Sequence, residues 1–425
     1  KMKDSGIEWI GEIPEGWEVA PLKRFASIQT GNTPTKTSDS NYYASTGIPW
    51  IKPDNLGYSH SISKTSEYLT SEGALCARIM PPNTVYVCCI GSLGKVGYSS
   101  ISCACNQQIN ALIFNDLMFW KYGYYLTIAQ ESQYLLFGNG NVLQIINSTS
   151  QGNIACVLPP LENQHLIACY LDSVCSDIEV LISKTRSSIE EYKKLKQAVI
   201  TQAVTKGVRG EREMKNSGNP WFGQIPTDWK LSRVGLHFSI ILGKMLCNAP
   251  LNDTYTLEPY YCAADVHFDG VADGERKKMW FSPIEKDLYR VSVGDLLVVE
   301  GGAGAGGSAI VENQDSYTYI QNSIMIVRSK GNADNRYLRY LLEFLVKQGY
   351  IDVVCNKATI PHFTKDKLSC VPFCLCGEQE EIADYLDAKC AKIDGLIAKK
   401  EQLIKELESY KKSLIYEVVT GKREV

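Results

Sequence analysis

A chain of 425 residues with 44 Lys and Arg against 47 Asp and Glu has a formal net charge of −3 and a pI near 6.1. Phosphate neutralisation supplies most non-specific affinity for nucleic acid, so this balance excludes a chain-wide basic clamp and requires any nucleic-acid contact to be local or shared with a partner. No stretch approaches the ~18 uninterrupted apolar residues of a membrane span and the start carries no signal-like apolar run, so a cytoplasmic protein with no membrane partner is expected. The 15 cysteines sit mostly in strand-like runs such as Tyr86-Val87-Cys88-Cys89-Ile90, and read as small core residues in a reducing compartment.

In chain order, a head segment comes first: Met2-Lys3-Asp4-Ser5-Gly6, then Trp9, Gly11, Ile13-Pro14 and Trp17. A body over about 21–158 follows, rich in Gly, Asn, Ser, Thr, Tyr and Cys, with a β-branched run at 84–90 and helical spacing over 117–126. From Glu162 an apolar stripe through Ile178, Leu181, Ile182, Ile189, Tyr192, Leu195 and Val199 predicts a long helix, with Pro159-Pro160 fitting its start and Gly207 its end. Then the series repeats. Met214-Lys215-Asn216-Ser217-Gly218 leads through Trp221, Gly223, Ile225-Pro226 and Trp229 at the same spacing. A second body, about 232–372, has strand-like runs at 296–299 and 323–327 and helical spacing at 336–347. A second stripe, Ile393, Leu396, Ile397, Leu403, Ile404, Leu407, Tyr410 and Leu414, ends near Gly421.

The closing segments also match: Gln164, Ile167-Ala168, Tyr170-Leu171-Asp172 and Cys175 return as Gln379, Ile382-Ala383, Tyr385-Leu386-Asp387 and Cys390. Each helix is expected to run about 35–40 residues, roughly 55 Å at 1.5 Å per residue. An apolar stripe cannot be left in water, so the two helices are expected to pair antiparallel. The expected fold class is therefore α/β (mixed α+β), with two bodies separated by a pair of long antiparallel coiled-coil helices in a pseudo-two-fold internal repeat. The expected division is 1–158, 159–212, 213–372 and 373–425. The tryptophans of the heads read as hydrophobic clasps between each body and the start of a helix pair.

The order of these motifs resembles the specificity (S) subunit of type I restriction-modification systems. The resemblance is carried by the head from Ser5-Gly6 to Trp17, by Cys89-Ile90-Gly91-Ser92-Leu93-Gly94-Lys95-Val96-Gly97 with Asn106-Gln107-Gln108-Ile109, and by Leu158-Pro159-Pro160-Leu161-Glu162-Asn163-Gln164. It implies two target-recognition domains, a shared region of long helices and no catalysis in this chain. It also implies double-stranded DNA as ligand, two methyltransferase subunits bringing S-adenosylmethionine, and restriction or translocase subunits bringing ATP and Mg. The second half departs from the pattern with Glu300 to Gly307, with Tyr319-Ile320-Gln321-Asn322-Ser323, and with a junction lacking the double proline. Such departures imply different base preferences in the two bodies.

One motif points elsewhere. Gly302-Ala303-Gly304-Ala305-Gly306-Gly307 satisfies G-x-G-x-x-G after an apolar strand, so an enzyme binding a nucleotide cofactor is the alternative. Ser308-Ala309-Ile310-Val311 then turns back toward a strand where that motif needs a helix, which favours a tight glycine hairpin. Gly94-Lys95 lacks Walker A spacing, Pro53-Asp54 has no Glu-x-Lys after it, and His60, His165, His237, His267 and His362 are scattered. Cys370, Cys374 and Cys376 lack a fourth ligand at zinc-like spacing. No catalytic residue, metal site or cofactor is assigned to this chain.

Recognition chemistry remains. Asn and Gln pair bidentately with adenine, and Arg and Lys with guanine or phosphate. The first body's polar loops offer Thr30, Asn32, Thr33, Lys36, Lys52, Asn55, Ser92, Lys95, Gln107, Asn139, Asn141 and Gln144, beside Asn106 and Gln108 as a buried polar feature of the fold. Those of the second offer Lys244, His267, Arg276, Lys277, Lys278, Asn322, Lys357, Thr359 and His362.

Overall fold

The computed structural model describes residues 1–425 except 35–40, 58–60, 139–143, 314–316 and 356–360, so Lys36, His60, Asn139, Asn141, Lys357 and Thr359 lie outside the described residues. The chain forms two compact units, Lys1–Ser188 with Lys399–Val425, and Ile189–Ala398. This division cuts each long helix within its length.

In the first unit β1 (Ala26–Thr30), β2 (Ile48–Ile51), β3 (Thr84–Cys88), β4 (Val96–Ser99), β5 (Cys103–Cys105) and β6 (Ile109–Phe114) carry the body. β3 reads Thr-Val-Tyr-Val-Cys and is buried throughout, as a strand covered on both faces must be. It sits inside an antiparallel sheet of order β4-β3-β6-β1, while β5 pairs parallel with β2 at Trp50↔Ala104. Helix α1 (Trp120–Ala129) packs on the sheet, and its fully buried Tyr122 donates from Oη to the carbonyls of Val157 and Val419, both at 3.0 Å. Helix α2 (Leu161–Lys206) has 46 residues.

The second unit repeats the plan with β7 (Phe238–Leu242), β8 (Thr256–Tyr261), β9 (Leu296–Val299), β10 (Ser308–Ile310), β11 (Tyr319–Ile320) and β12 (Ile324–Ser329). The antiparallel order is β10-β9-β12-β7, and β8 pairs parallel with β11 at Tyr260↔Tyr319. Helix α3 (Asn335–Lys347) occupies the place of α1, and α4 (Gln379–Val419) closes the chain with 41 residues. Both long helices exceed the expected 35–40 residues. The first turns of α2 face the core with Gln164, Ala168, Leu171 and Cys175, and the polar Gln164 and the small Ala168 and Cys175 weaken the stripe in a hydrophobicity reading. Gly207 and Gly421, at φ 76° and 73°, end the two helices in the left-handed conformation.

Within each unit the segments of α2 and α4 run antiparallel. Arg186 meets Glu408 and Glu179 meets Lys411 in the first unit; Lys196 meets Asp394 and Arg209 meets Glu381 in the second. Ile178, Ile182, Ile189 and Ile393 are buried, and Tyr192, Leu396, Ile397, Ile404 and Leu407 half-buried. Leu181, Leu195 and Leu403, expected in the seam, are instead 50%, 48% and 41% exposed. The buried face follows a strict alternation of three- and four-residue steps: Gln164, Ala168, Leu171, Cys175, Ile178, Ile182, Thr185, Ile189, Tyr192, Lys196, Val199, Ala203. That register selects Ile182 and Lys196, so the leucine preceding each faces outward. On α4 it selects Ile404, and Leu403 turns to solvent.

The heads pack as clasps. Trp17 is buried beside Gly421, and the Tyr416 hydroxyl donates to the Trp9 carbonyl at 2.8 Å. In the second unit Phe222, Ile225 and the fully buried Trp229 share a core with Ile200, Ala203 and Val204. Each clasp therefore grips the last turns of one long helix, α4 in the first unit and α2 in the second, in a core that also holds the start of the other helix, through Ile167 and Leu171 in the first unit and Ile382 and Leu386 in the second.

Candidate nucleic-acid interface

The two bodies present one backbone frame with different side chains. The loop from β3 to β4 turns on Gly91 and Gly94, at φ 82° and 79°; the loop from β9 to β10 turns on Gly302 and Gly306, at 87° and 83°. Each loop is stitched to a later segment. Gly91 N–H donates to the Gln144 carbonyl at 3.0 Å and Ile146 N–H to the Cys89 carbonyl at 3.0 Å; Gly302 N–H donates to the Pro361 carbonyl at 3.1 Å and Phe363 N–H to the Glu300 carbonyl at 2.6 Å. The aligned positions then carry Ser92, Lys95, Gln144 and Ile145 in one body and glycine or alanine, Pro361 and His362 in the other. His362 Nδ1 lies 3.5 Å from the Glu300 carboxylate.

Gly302–Gly307 is thus a hairpin between antiparallel strands, with Val298 opposite Ser308. A dinucleotide fingerprint needs a strand leading through the glycines into a helix whose N-terminus holds the pyrophosphate. No such helix follows β9, and the cofactor-enzyme alternative is set aside.

Of the expected contact residues, Ser92, Lys95, Gln107 and Gln144 in the first body and His267, Lys277, Lys278 and His362 in the second are exposed. The structure brings several together: Thr33 hydrogen-bonds Gln107, and Cys89 N–H donates to the Gln108 carbonyl at 2.7 Å. Others have their polar atoms occupied by the protein. Thr30 donates to Asn110 Oδ1 at 2.8 Å, and Asn110 in turn to Gln151 at 2.7 Å. Asn32 spans the Cys76 carbonyl at 2.7 Å and the Arg78 N–H at 2.8 Å. Asn55 accepts from the Lys52 N–H, and the Lys52 ammonium pairs with Glu67 at 2.8 Å. Asn106 is buried and donates to Gln108 Oε1 at 3.0 Å, a turn internal to the fold.

In the second body Lys244 is withdrawn from the surface, paired with Glu285 and 4.9 Å from the Tyr255 ring. Arg276 is held by Asp265 at 3.2 Å over the Tyr261 ring. His267 meets the Ala264 carbonyl at 3.0 Å, and Asn322 accepts from Gln321 at 2.6 Å. Lys244 and Arg276 are structural cations here, since a desolvated ion pair over an aromatic face is not free to exchange its partner for a base. Arg78 escaped the sequence criteria, being isolated between Ala77 and Ile79. Exposed beside Asn32, it donates to the Thr30 carbonyl at 2.6 Å.

The duplicated closing motif is the joint between body and helix. Gln164 Oε1 accepts from the Phe119 N–H at 2.7 Å, and Gln379 Oε1 from the Asp334 N–H at 3.0 Å. Tyr125 donates to Asp172 at 2.8 Å and Tyr340 to Asp387 at 2.8 Å, with Lys121 and Arg336 as the neighbouring cations. Burial, then the carboxylate beside each phenol, pushes both hydroxyls well above the usual tyrosine range. In the second unit Glu378 adds a carboxylate that is 1% exposed, accepting from Trp229 Nε1 at 2.9 Å and paired with Arg212 at 2.6 Å.

Cys374 is buried and Cys376 half-buried, and burial pushes both thiols up to about 12; Cys370 is exposed. Among the described residues no group of three or more His, Cys, Asp or Glu is placed to hold a metal ion, and no helix is long and apolar enough to cross a membrane.

The type I restriction modification DNA specificity domain family matches residues 14–191. A putative type I restriction enzyme MjaX specificity subunit of Methanocaldococcus jannaschii is 27% identical over 442 residues, spanning 97% of this chain and 95% of that protein. The type I restriction enzyme HindI specificity subunit of Haemophilus influenzae is 30% identical over 189 residues, 43% of this chain and 39% of that one. Among solved structures, the HsdS subunit from Thermoanaerobacter tengcongensis superposes with a TM-score of 0.53 at 16% identity, covering 97% of this chain and 98% of its own. A chain from a study of complex assembly and conformational transition of the type I R-M system reaches 0.74 at 16% identity, covering 97% and 99%. Those superpositions establish a shared fold. With the specificity-domain match over 14–191 and a relative of that class spanning nearly the whole chain at 27% identity, the chain is similar along its length to type I restriction-modification specificity subunits.

Proposed function

We propose that this chain is the non-catalytic DNA-specificity subunit of a type I complex, each body reading one half of a bipartite, asymmetric target. The observation that carries the reading is the duplicated loop frame with unlike side chains: Ser92, Lys95 and Gln144 against the glycines, Pro361 and His362. A constant frame positions, and variable side chains on it discriminate bases. The recognition domains are 1–158 and 213–372. The helical regions 159–212 and 373–425 dock two methyltransferase subunits and fix the spacing of the half-sites. S-adenosylmethionine, ATP and Mg belong to the partners, and restriction or translocase subunits complete the complex in the cytoplasm. The pI near 6.1 fits this division of labour, because partners then supply the positive clamp.

The test is binding by the reconstituted complex to duplexes in which either half-site is scrambled. Gln107→Ala with Gln144→Ala is expected to cost about 1–3 kcal/mol for each base pair read, and only on duplexes that retain the first body's half-site. Equal losses on both scrambled duplexes would contradict two independent readers.

A further inference from the structure

Two lysines occupy places in the helix seam where an apolar residue is the rule. Lys411 is 4% exposed and continues the three- and four-residue alternation of α4 between Leu407 and Leu414. Lys196 does the same on α2 between Tyr192 and Val199, its side chain 17% exposed. Each ammonium meets a carboxylate on the opposing helix: Lys411 meets Glu179, and Lys196 meets Asp394 at 2.7 Å. The two pairs are counterparts. In the repeat that aligns Gln164 with Gln379 and Leu171 with Leu386, Lys196 falls on Lys411 and Glu179 on Asp394. Both halves of the chain thus place the same cross-seam pair, one in each unit.

We infer that Lys196–Asp394 and Glu179–Lys411 are alignment locks, positioning residues that select a single antiparallel register of α2 against α4. A seam of Ile, Leu and Val alone is satisfied at several registers, because any shift by one heptad again buries apolar side chains. A lysine in the seam is tolerated only where a carboxylate reaches it, and elsewhere its charge is buried without a partner. One such position in each unit excludes slipped alignments and pairing with the wrong helix of a second chain. This inference concerns helix pairing and stands whether or not the bodies read DNA.

Charge exchange in the full chain tests it. Lys411→Glu and Glu179→Lys are each expected to lower the midpoint of thermal unfolding, and the double exchange to recover at least half of the loss. Additive losses with no recovery would overturn the lock. Should the single exchanges fail to accumulate, Lys196→Met with Lys411→Met supplies the second arm, since it replaces both seam charges with apolar side chains of similar length. That variant is expected to keep or raise the unfolding midpoint yet return from denaturant as several species on size exclusion, where the parent returns as one. A single species identical to the parent's overturns the proposal.

Discussion

Glu378→Ala is expected to lower the stability of the second unit by about 3–5 kcal/mol, read as a shifted midpoint in chemical denaturation. The carboxylate is 1% exposed and gathers the Trp229 indole N–H at 2.9 Å, the Val208 N–H at 3.3 Å, and the guanidinium of Arg212. Removing it leaves Arg212, only 17% exposed, without its buried counter-charge, and the Trp229 donor without an acceptor. Arg209 is half-exposed and also pairs with Glu381, so water and that carboxylate replace its share. The group therefore acts mainly through Arg212 and Trp229. It ties the end of α2, the second head and the start of α4 into one core, so its loss is expected to loosen the clasp before the sheet. Tryptophan fluorescence should change ahead of far-ultraviolet circular dichroism in the variant and together with it in the parent. A midpoint within about 0.5 kcal/mol of the parent's, the range of an ordinary surface substitution, would show that solvent already screens this cluster.

Gly31→Ala and Gly243→Ala are expected to cost about 3 kcal/mol or more each, beyond the usual range for an added methyl, because the obstruction is backbone. A Cβ at residue 31 would stand 2.2 Å from the Cys105 carbonyl oxygen and 2.3 Å from that of Asn106; one at residue 243 would stand 2.4 Å from the Gln321 oxygen. Both glycines close the first strand of their body, with Gly31 N–H donating to Ile109 and Gly243 N–H to Ile324. A side chain there has to push apart a pair of chain segments that meet beside the glycine loop. Gly31→Ala is expected to abolish reading of one half-site and leave the other intact, with Gly243→Ala doing the reverse. Thermal melts together with binding to half-scrambled duplexes separate a local collapse from a global one. An unchanged melt for either variant would contradict the close approach.

Much of the architecture is legible in the sequence because it is written twice. The heads, the glutamine-to-cysteine motif and both helical stripes recur at matched spacing, and the joints they form are the same hydrogen bonds in both units. The parallel pairing of Cys103–Cys105 with Ile48–Ile51 is not legible, since three residues carry no periodicity and their partner lies far along the chain. Hydrophobicity alone puts Leu181, Leu195 and Leu403 in the seam, because it does not separate a leucine from the isoleucine next to it and passes over Lys196, and only the heptad register decides. The withdrawal of Lys244 and Arg276 depends on Glu285, Asp265 and Tyr261, partners that folding brings from elsewhere. Lys95, Gln107 and Gln144 remain on the surface where the polar loops of the sequence put them.

The central claim is that two bodies on one chain read separate halves of a target. Adenine-methylation mapping of DNA from cells expressing this chain with its methyltransferase, before and after exchanging residues 21–158 for those of another specificity subunit, tests it most directly. The account predicts a bipartite methylated motif in which the exchange alters one half and leaves the other half and the spacing unchanged. With methyltransferase activity confirmed, the absence of any motif, or a change in both halves, would contradict it.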